Sequence, residues 1–342
     1  MFRSLILPTF LLTLIMCGST NNLQKTDHYD GEVFFNPEPT THPSFLRIFR
    51  HVVSGRNSNW PSDRLFPDSF ENRADPLGKE EYRVTFINHA SFLIETKAAN
   101  ILTDPVWSER VGPLSWAGPE RGIEPGVPFE KLPTIHLVII SHNHYDHLDL
   151  PSLQRLEKTF HPIFLVPKLN RDLLRDAGIE KVYDLDWWES HSFQDDLKVI
   201  ATPARHNSGR GLTDRDKSLW ASYAIQFQNG KYIYFAGDTS YGSHFKQISE
   251  KLGSASLALL PIGAYEPRDM MKDAHINPDE AVKAHLDLKA KRSLAMHFGT
   301  FNLSREDRMQ PVNELRESLN RRNLNEQLFL VLREGNSLQS GL

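Results

Sequence analysis

The chain has 342 residues and only one cysteine. A single thiol excludes an intramolecular disulfide framework, a zinc site built of cysteines alone, and a Cys–Cys redox pair within the chain. No apolar run is long enough to span a bilayer, which takes ~20 consecutive apolar residues. The best candidate, residues 5–16, is short and is interrupted by Pro8, Thr9 and Thr13. An excess of one charge is missing too. Lys and Arg number 39 against 43 Asp and Glu, a net charge of −4 with histidine neutral. The basic footprint of a nucleic-acid binder is therefore absent, and no nucleic-acid partner is expected. Histidine is plentiful, with 15 in the chain, and several of these cluster or stand at the ends of apolar runs.

The one cysteine is Cys17, preceded by Arg3 and the apolar run. A short positive segment followed by such a run is the pattern of a secretory signal. Leu14-Ile15-Met16-Cys17 resembles a bacterial lipobox, although Met16 stands where a small residue is usual. Residues 1–17 are thus read as a signal peptide with a lipobox. The expected protein is exported and tied to a bacterial envelope membrane by lipid at Cys17. An ordinary cleaved signal, or no processing, are the alternatives. Residues 18–79 divide into a polar tether (18–30) and an irregular arm rich in Pro, Asn and aromatics, with one helix near 45–53.

From residue 80 the texture changes. Alternation predicts strands over 82–87, 91–96 and 100–103. The apolar run 137–140 predicts a buried strand. Further strands are expected over 163–166, 197–202, 222–228, 232–236, 257–261 and 293–297. Helices are expected over 151–159, over 168–177 with Gly178 closing it, over 278–286 behind an Asn277 cap, and over 314–322. Hairpins come first, and strands then alternate with helices. This pattern describes one α/β (α+β) domain over 80–335.

Directly after the apolar run stands Ser141-His142-Asn143-His144-Tyr145-Asp146-His147. His142 and His144, two apart, can reach one metal from a single turn, while Asp146 and His147 on the adjacent turn can address a second. Zinc takes imidazole nitrogen and carboxylate oxygen readily. Three more ligand-type residues abut expected strand ends: His206, Asp238 in Gly237-Asp238-Thr239, and His297. They complete two sites of three protein ligands and a shared carboxylate. Zn²⁺ is the expected ion, two per chain, with Mn²⁺ and Fe²⁺ as alternatives.

These motifs resemble the metallo-β-lactamase fold superfamily. Longer strings resemble its branch of N-acyl-phosphatidylethanolamine-hydrolysing phospholipases D: Ile87-Asn88-His89-Ala90-Ser91, Leu102-Thr103-Asp104-Pro105, 141–149, Tyr234-Phe235-Ala236-Gly237-Asp238-Thr239, 260–268 and His297-Phe298-Gly299-Thr300. The resemblance spans roughly 60 to 335. It implies an αββα sandwich with a dinuclear metal site at the sheet edge. It implies His142, His144 and His206 on one zinc, Asp146, His147 and His297 on the other, and Asp238 bridging them. It further implies that Tyr145 and His275 contact substrate, that metal hydroxide attacks phosphorus, and that a homodimer forms. The products would be an N-acylethanolamine and phosphatidic acid, released from a phospholipid at a membrane surface.

Other residues carry two readings each. Asp104 and His89 can orient metal-bound groups, or serve as turn cap and core residue. Trp187-Trp188 can line an acyl groove or support the core. Arg268 can meet a phosphate or pair with an acid. Trp107, Trp116 and Phe129 suggest apolar walls, whereas His244 and His285 are read as structural. A hydrolase of another ester, a lactone or a lactam on the same fold is the competing function, since fold does not decide chemistry. The lone cysteine lies in the leader, so lactamase subclasses with a cysteine ligand are excluded.

Overall fold

The computed structural model describes residues 23–40, 60–61, 63–67, 76–194 and 197–341. The leader, Cys17 and the helix expected near 45–53 lie outside the described residues.

Two seven-stranded mixed sheets face each other. The first contains β1 (Glu81–Asn88), β2 (Ser91–Thr96), β3 (Asn100–Thr103), β4 (Leu137–Ile139), β5 (Ile163–Pro167), β6 (Val182–Leu185) and β14 (Ser337–Gly341), in the order β14-β1-β2-β3-β4-β5-β6. The second contains β7 (Ser190–Phe193), β8 (Leu197–Thr202), β9 (Ser222–Phe227), β10 (Tyr232–Phe235), β11 (Leu257–Pro261), β12 (Ser293–Met296) and β13 (Phe329–Leu330), in the order β13-β12-β11-β10-β9-β8-β7. Each sheet is antiparallel in the part built of hairpins and parallel in the part built of strand–helix units.

Strand alternation explains why two layers of core exist. Val84, Phe86, Phe92, Ile94, Ile101, Leu137, Ile139 and Leu165 point between the sheets. Their neighbours Ile87, Leu93, Leu102, Val138, Phe164 and Val166 point to the opposite face, as a period of two requires. That face is covered by α1 (Leu150–Phe160) through Leu153 and Leu156, and by α2 (Arg171–Asp176) through Leu174. The second sheet is covered by α3 (His244–Leu252), α5 (Pro278–Asp287) and α6 (Gln310–Arg321); the short α4 (Arg268–Met271) precedes α5. No helix among the described residues is long and apolar enough to cross a membrane.

Boundaries moved for local reasons. The helix expected from 168 starts at Arg171, because Leu169 adopts a positive φ of 62°. The helix expected from 314 starts at Gln310, with Pro311 in its first turn where a missing N–H costs nothing. Asn277 does cap α5, and Glu280 returns a bond to its backbone. β14 pairs with β1 through residues 337–341, so the sheet runs beyond the expected end at 335. The polar stretch before residue 31 is not all tether: His28 and Tyr29 are buried, and Tyr29 and Phe34 pack on Leu219 and Trp220.

Candidate metal centre

The loops after β1, β3, β4, β8, β10 and β12 meet at one end of the sandwich. They bring His89, Asp104, the 141–147 run, His206, Asp238 and His297 together, and the loop after α4 adds His275. Two glycines permit the approach. Gly237 holds a φ of +57°, and a Cβ there would lie 2.4 Å from Ser141 Cβ. A Cβ on Gly263 would lie 2.1 Å from the carbonyl oxygen of His297. Three non-glycine residues of the cluster, His89, Asp104 and His297, also have positive φ. Such backbone costs about 1–3 kcal/mol per residue and persists only where the surroundings enforce it.

His142, His144 and His206 form one group. His142 Nε2 and His144 Nδ1 are 2.8 Å apart, and His206 Nε2 is 3.3 Å from the same His144 nitrogen. The other nitrogens are engaged behind them, His142 Nδ1 with Ser141 Oγ at 2.9 Å and His206 Nδ1 with the Ala274 carbonyl at 2.8 Å. Asp146, His147 and His297 form a second group. His147 Nε2 lies 3.4 Å from Asp146 Oδ2 and 3.2 Å from His297 Nε2. The carboxylate of Asp238 stands between the groups. Its Oδ1 is 3.0 Å from His297 Nε2, while its Oδ2 is 3.2 Å from His147 Nε2, 3.8 Å from His206 and 4.0 Å from His142.

Asp104 backs this arrangement. One of its oxygens accepts from Ser141 N at 2.7 Å, and the other accepts from Ser141 Oγ and from His147 Nδ1, the latter at 2.6 Å. Of its two readings, the orienting one fits. His89 likewise reaches Asp146 Oδ2 with Nε2 at 3.0 Å.

The charges divide the two groups. Burial, with the neighbouring imidazoles of His147, His144 and His206, holds His142 well below its usual value. Burial also lowers His206 and His144. These rings are neutral, as a ligand must be. Burial opposes charge on His147 too, but Asp238, Asp146 and Asp104 outweigh it and hold the ring well above its ordinary value. His297 is pushed up to about 9 against the pull of burial, chiefly by Asp238. Burial works against the charge of Asp146 and Asp238, but His147 and His297, with His89 at Asp146 and His275 at Asp238, together outweigh it and hold both well below the usual carboxylate range.

The donor set fits divalent metal ions. The nitrogen spacing in the first group lies near the ~3.3 Å that separates adjacent ligands of a tetrahedral zinc with ~2.05 Å bonds. The second group demands positive charge, since two buried carboxylates face each other's imidazoles. A divalent cation would meet that demand in place of the ring protons. Asp238 Oδ1 is buried without a hydrogen bond, which suits an oxygen whose partner is an ion.

Tyr145 lies at the edge of the cluster, its hydroxyl donating to the Arg210 carbonyl at 2.8 Å. His275 Nδ1 is 3.6 Å from Asp238 Oδ2, and burial pushes that ring down to about 4. Arg268 takes the acid-paired reading: it binds both oxygens of Glu280 at 3.0 and 2.9 Å and donates to the His275 carbonyl. Trp187 stacks on His28 and donates to the Trp220 carbonyl, a support role. Trp107 sits edge-on to Phe129 in the layer under α1, and Trp116 is exposed, so these three form no common wall. His244 and His285 are buried and paired with Thr239 and Ser293. Arg210 was not singled out from the sequence. Its guanidinium lies 3.9 Å over the Tyr145 ring and donates to the carbonyls of Asn143 and Leu148, pinning the 141–147 run. The only signal was its place in the glycine-flanked loop after His206.

A family model described as a beta-lactamase superfamily domain matches residues 99–298. The N-acyl-phosphatidylethanolamine-hydrolyzing phospholipase D 1 of Caenorhabditis elegans is 36% identical over 314 residues, 86% of this chain and 88% of the relative. A metal-dependent hydrolase of Pyrobaculum arsenaticum is 30% identical over 227 residues, 66% of this chain and 88% of the relative. Among solved structures, the metallo hydrolase Igni18 of Ignicoccus hospitalis superposes with a TM-score of 0.59 at 23% identity, over 77% of this chain and 99% of that one. That last likeness is one of fold.

Proposed function

The chain belongs to the metallo-β-lactamase fold superfamily and resembles its N-acyl-phosphatidylethanolamine-hydrolysing branch, and from that premise we propose that it is a zinc-dependent phosphodiesterase of phospholipase D type. Its substrate would be an N-acyl-phosphatidylethanolamine-like lipid, cleaved to an N-acylethanolamine and phosphatidic acid. The observation that carries this reading is the Asp238 carboxylate standing between a three-histidine group and an Asp–His–His group.

Two divalent cations held there, Zn²⁺ on this reading, would supply Lewis acidity toward phosphoryl oxygens and an ionised water at neutral pH. The chain's own residues do the rest. Neutral His142, His144 and His206 offer lone pairs from one side, and Asp104 and the Ala274 carbonyl fix the rings of His147 and His206. Asp146 and Asp238 supply the anionic charge that keeps positive ions in a buried place. In the overall reaction water adds to phosphorus, the bond from phosphorus to the ethanolamide oxygen breaks, and that oxygen takes up a proton. His275, neutral and beside Asp238, is positioned to hydrogen-bond a phosphoryl or leaving oxygen. Tyr145, braced by Arg210, forms the neighbouring edge. Lipidation at Cys17 would hold the enzyme at the membrane surface where such a lipid lies, and a homodimer is the proposed assembly.

The test is a side-by-side assay on an N-acyl-phosphatidylethanolamine, a plain phosphatidylethanolamine, an aryl phosphodiester and a lactone. Cleavage of the N-acyl lipid and the aryl diester is expected. Turnover of the lactone alone would overturn the proposal. Metal analysis should return about two zinc ions per chain. Mass spectrometry of the mature N-terminus should find lipid on Cys17, and an intact Met1 would remove the anchor.

A further inference from the structure

The segment that carries His206 runs from 203 to 209 outside every strand. Its backbone groups still need partners, since buried N–H and C=O groups are almost always satisfied. Side chains provide them. Thr239 Oγ1 accepts from Arg205 N at 3.0 Å, Asp216 from Ser208 N at 3.2 Å, and Asn143 from Gly209 N at 2.8 Å. His206 itself is held by the N-terminal arm. Asn36 Oδ1 accepts from His206 N at 3.2 Å, and Asn36 Nδ2 donates to the His206 carbonyl at 2.8 Å. One side-chain amide thus replaces the neighbouring strand that this residue lacks.

The arm is fastened on both sides of Asn36. Before it, Phe34 is buried against Leu219 and Trp220, and its N–H donates to the Asp216 carbonyl at 2.8 Å. After it, Glu38 accepts from Ser243 N at 2.9 Å, and the Pro39 carbonyl accepts from Arg205 at 2.7 Å. Asn36 lies outside the stretch matched by the family model, residues 99–298.

We infer that Asn36 is a positioning residue of the metal centre, fixing the backbone of His206 so that its Nε2 faces His144 and Asp238. The inference rests on the reading of His206 as a metal ligand. With the His206 ring tied to Ala274 and its backbone tied to Asn36, the side chain has no freedom to swing out of the cluster. Partners that orient a ligand are typically worth ~10–100-fold in metal affinity, and Asn36→Ala removes two hydrogen bonds at once.

The experiment compares the parent protein, Asn36→Ala, Asn36→Asp and Leu315→Ala, the last a core change in α6 remote from the arm. Hydrogen exchange of 203–209 in metal-stripped protein reads the clamp, and competition for Zn²⁺ against a chromophoric chelator reads affinity. The visible spectrum of Co²⁺-loaded protein reads the ligand geometry. Asn36→Ala should speed exchange in 203–209, weaken the tighter Zn²⁺ step by ~10–100-fold and shift the Co²⁺ bands. Asn36→Asp keeps the acceptor for His206 N but sets an acceptor against the His206 carbonyl, and it should also speed exchange in 203–209 and shift the Co²⁺ bands. Leu315→Ala should lower the melting temperature with Zn²⁺ affinity unchanged. Faster exchange with unaltered affinity and spectrum would overturn the positioning role and leave the proposed function standing. A parent chain that takes up no metal would sink the metal reading, and this inference with it.

Discussion

At the scale of single residues, the centre depends on a few side chains held from behind, His142 by Ser141, His147 by Asp104 and His206 by the Ala274 carbonyl. Asp238 faces both groups at once, so Asp238→Asn removes the charge that both share. Turnover of an aryl phosphodiester should fall by more than the ~100-fold that bounds partners outside the ligand set, with an unchanged far-ultraviolet spectrum. Unchanged turnover would refute the shared role. Asp104→Asn is subtler. The amide keeps one acceptor but cannot satisfy both Ser141 and His147 Nδ1. Metal affinity should drop by ~10–100-fold, as measured by chelator competition. Gly237→Ala puts a methyl 2.4 Å from Ser141 Cβ at a φ of +57°. It should cost on the order of 1–3 kcal/mol or more in urea unfolding, because overpacking and left-handed strain coincide.

Among the elements, the arm and the β-strands behave differently. Strands β2, β3 and β11 formed at their expected limits, because alternation or an apolar run between turn residues leaves little choice of register. Strands β6 and β7 were not foreseen. β6 mixes buried and exposed positions and β7 alternates exposed with half-buried ones, so no apolar run announces either. The tether and arm dock through polar residues as well as through Tyr29 and Phe34. His28 sits between Asp186 Oδ1 at 2.7 Å and Asp27 Oδ1 at 2.6 Å, stacked on Trp187. Burial opposes its charge, but Asp186 and Asp27 outweigh burial and raise it above its usual value. A raised value means that protonated His28 favours docking, fully below about pH 6.5, and that this stabilisation fades as pH rises through the higher folded value. Proteolysis of the arm should therefore be faster at a pH above the raised folded value than at pH 6, and His28→Ala should flatten that dependence. An arm equally resistant at both pH values would contradict the assignment.

Across the whole molecule, the centre joins the two sheets. The 141–147 run leaves β4 of the first sheet, whereas His206, Asp238 and His297 leave β8, β10 and β12 of the second. Ions held by both halves would cross-link the sandwich, and a ligand at ~100 times its Kd adds about 2.7 kcal/mol. Stripping metal with a chelator should lower the melting temperature by about 5 °C or more, and adding zinc back should restore it. An identical melting curve would argue against metal binding across the sheets.

The sequence alone carried the His and Asp residues that the fold gathers at one end, and most of the sandwich. Dense His and Asp residues abutting apolar runs are local signals, and local periodicity decides which faces of a strand are buried. Only the tertiary structure decided what lies behind the ligands. Asp104 orienting His147, Arg210 stacked on Tyr145, Asn36 clamping His206 and β14 closing on β1 join residues far apart in the chain. A turn aspartate, a loop arginine and an arm asparagine carry no periodic signature. Their partners are chosen by which strand ends the fold brings to one edge, and that choice exists only once both sheets have packed.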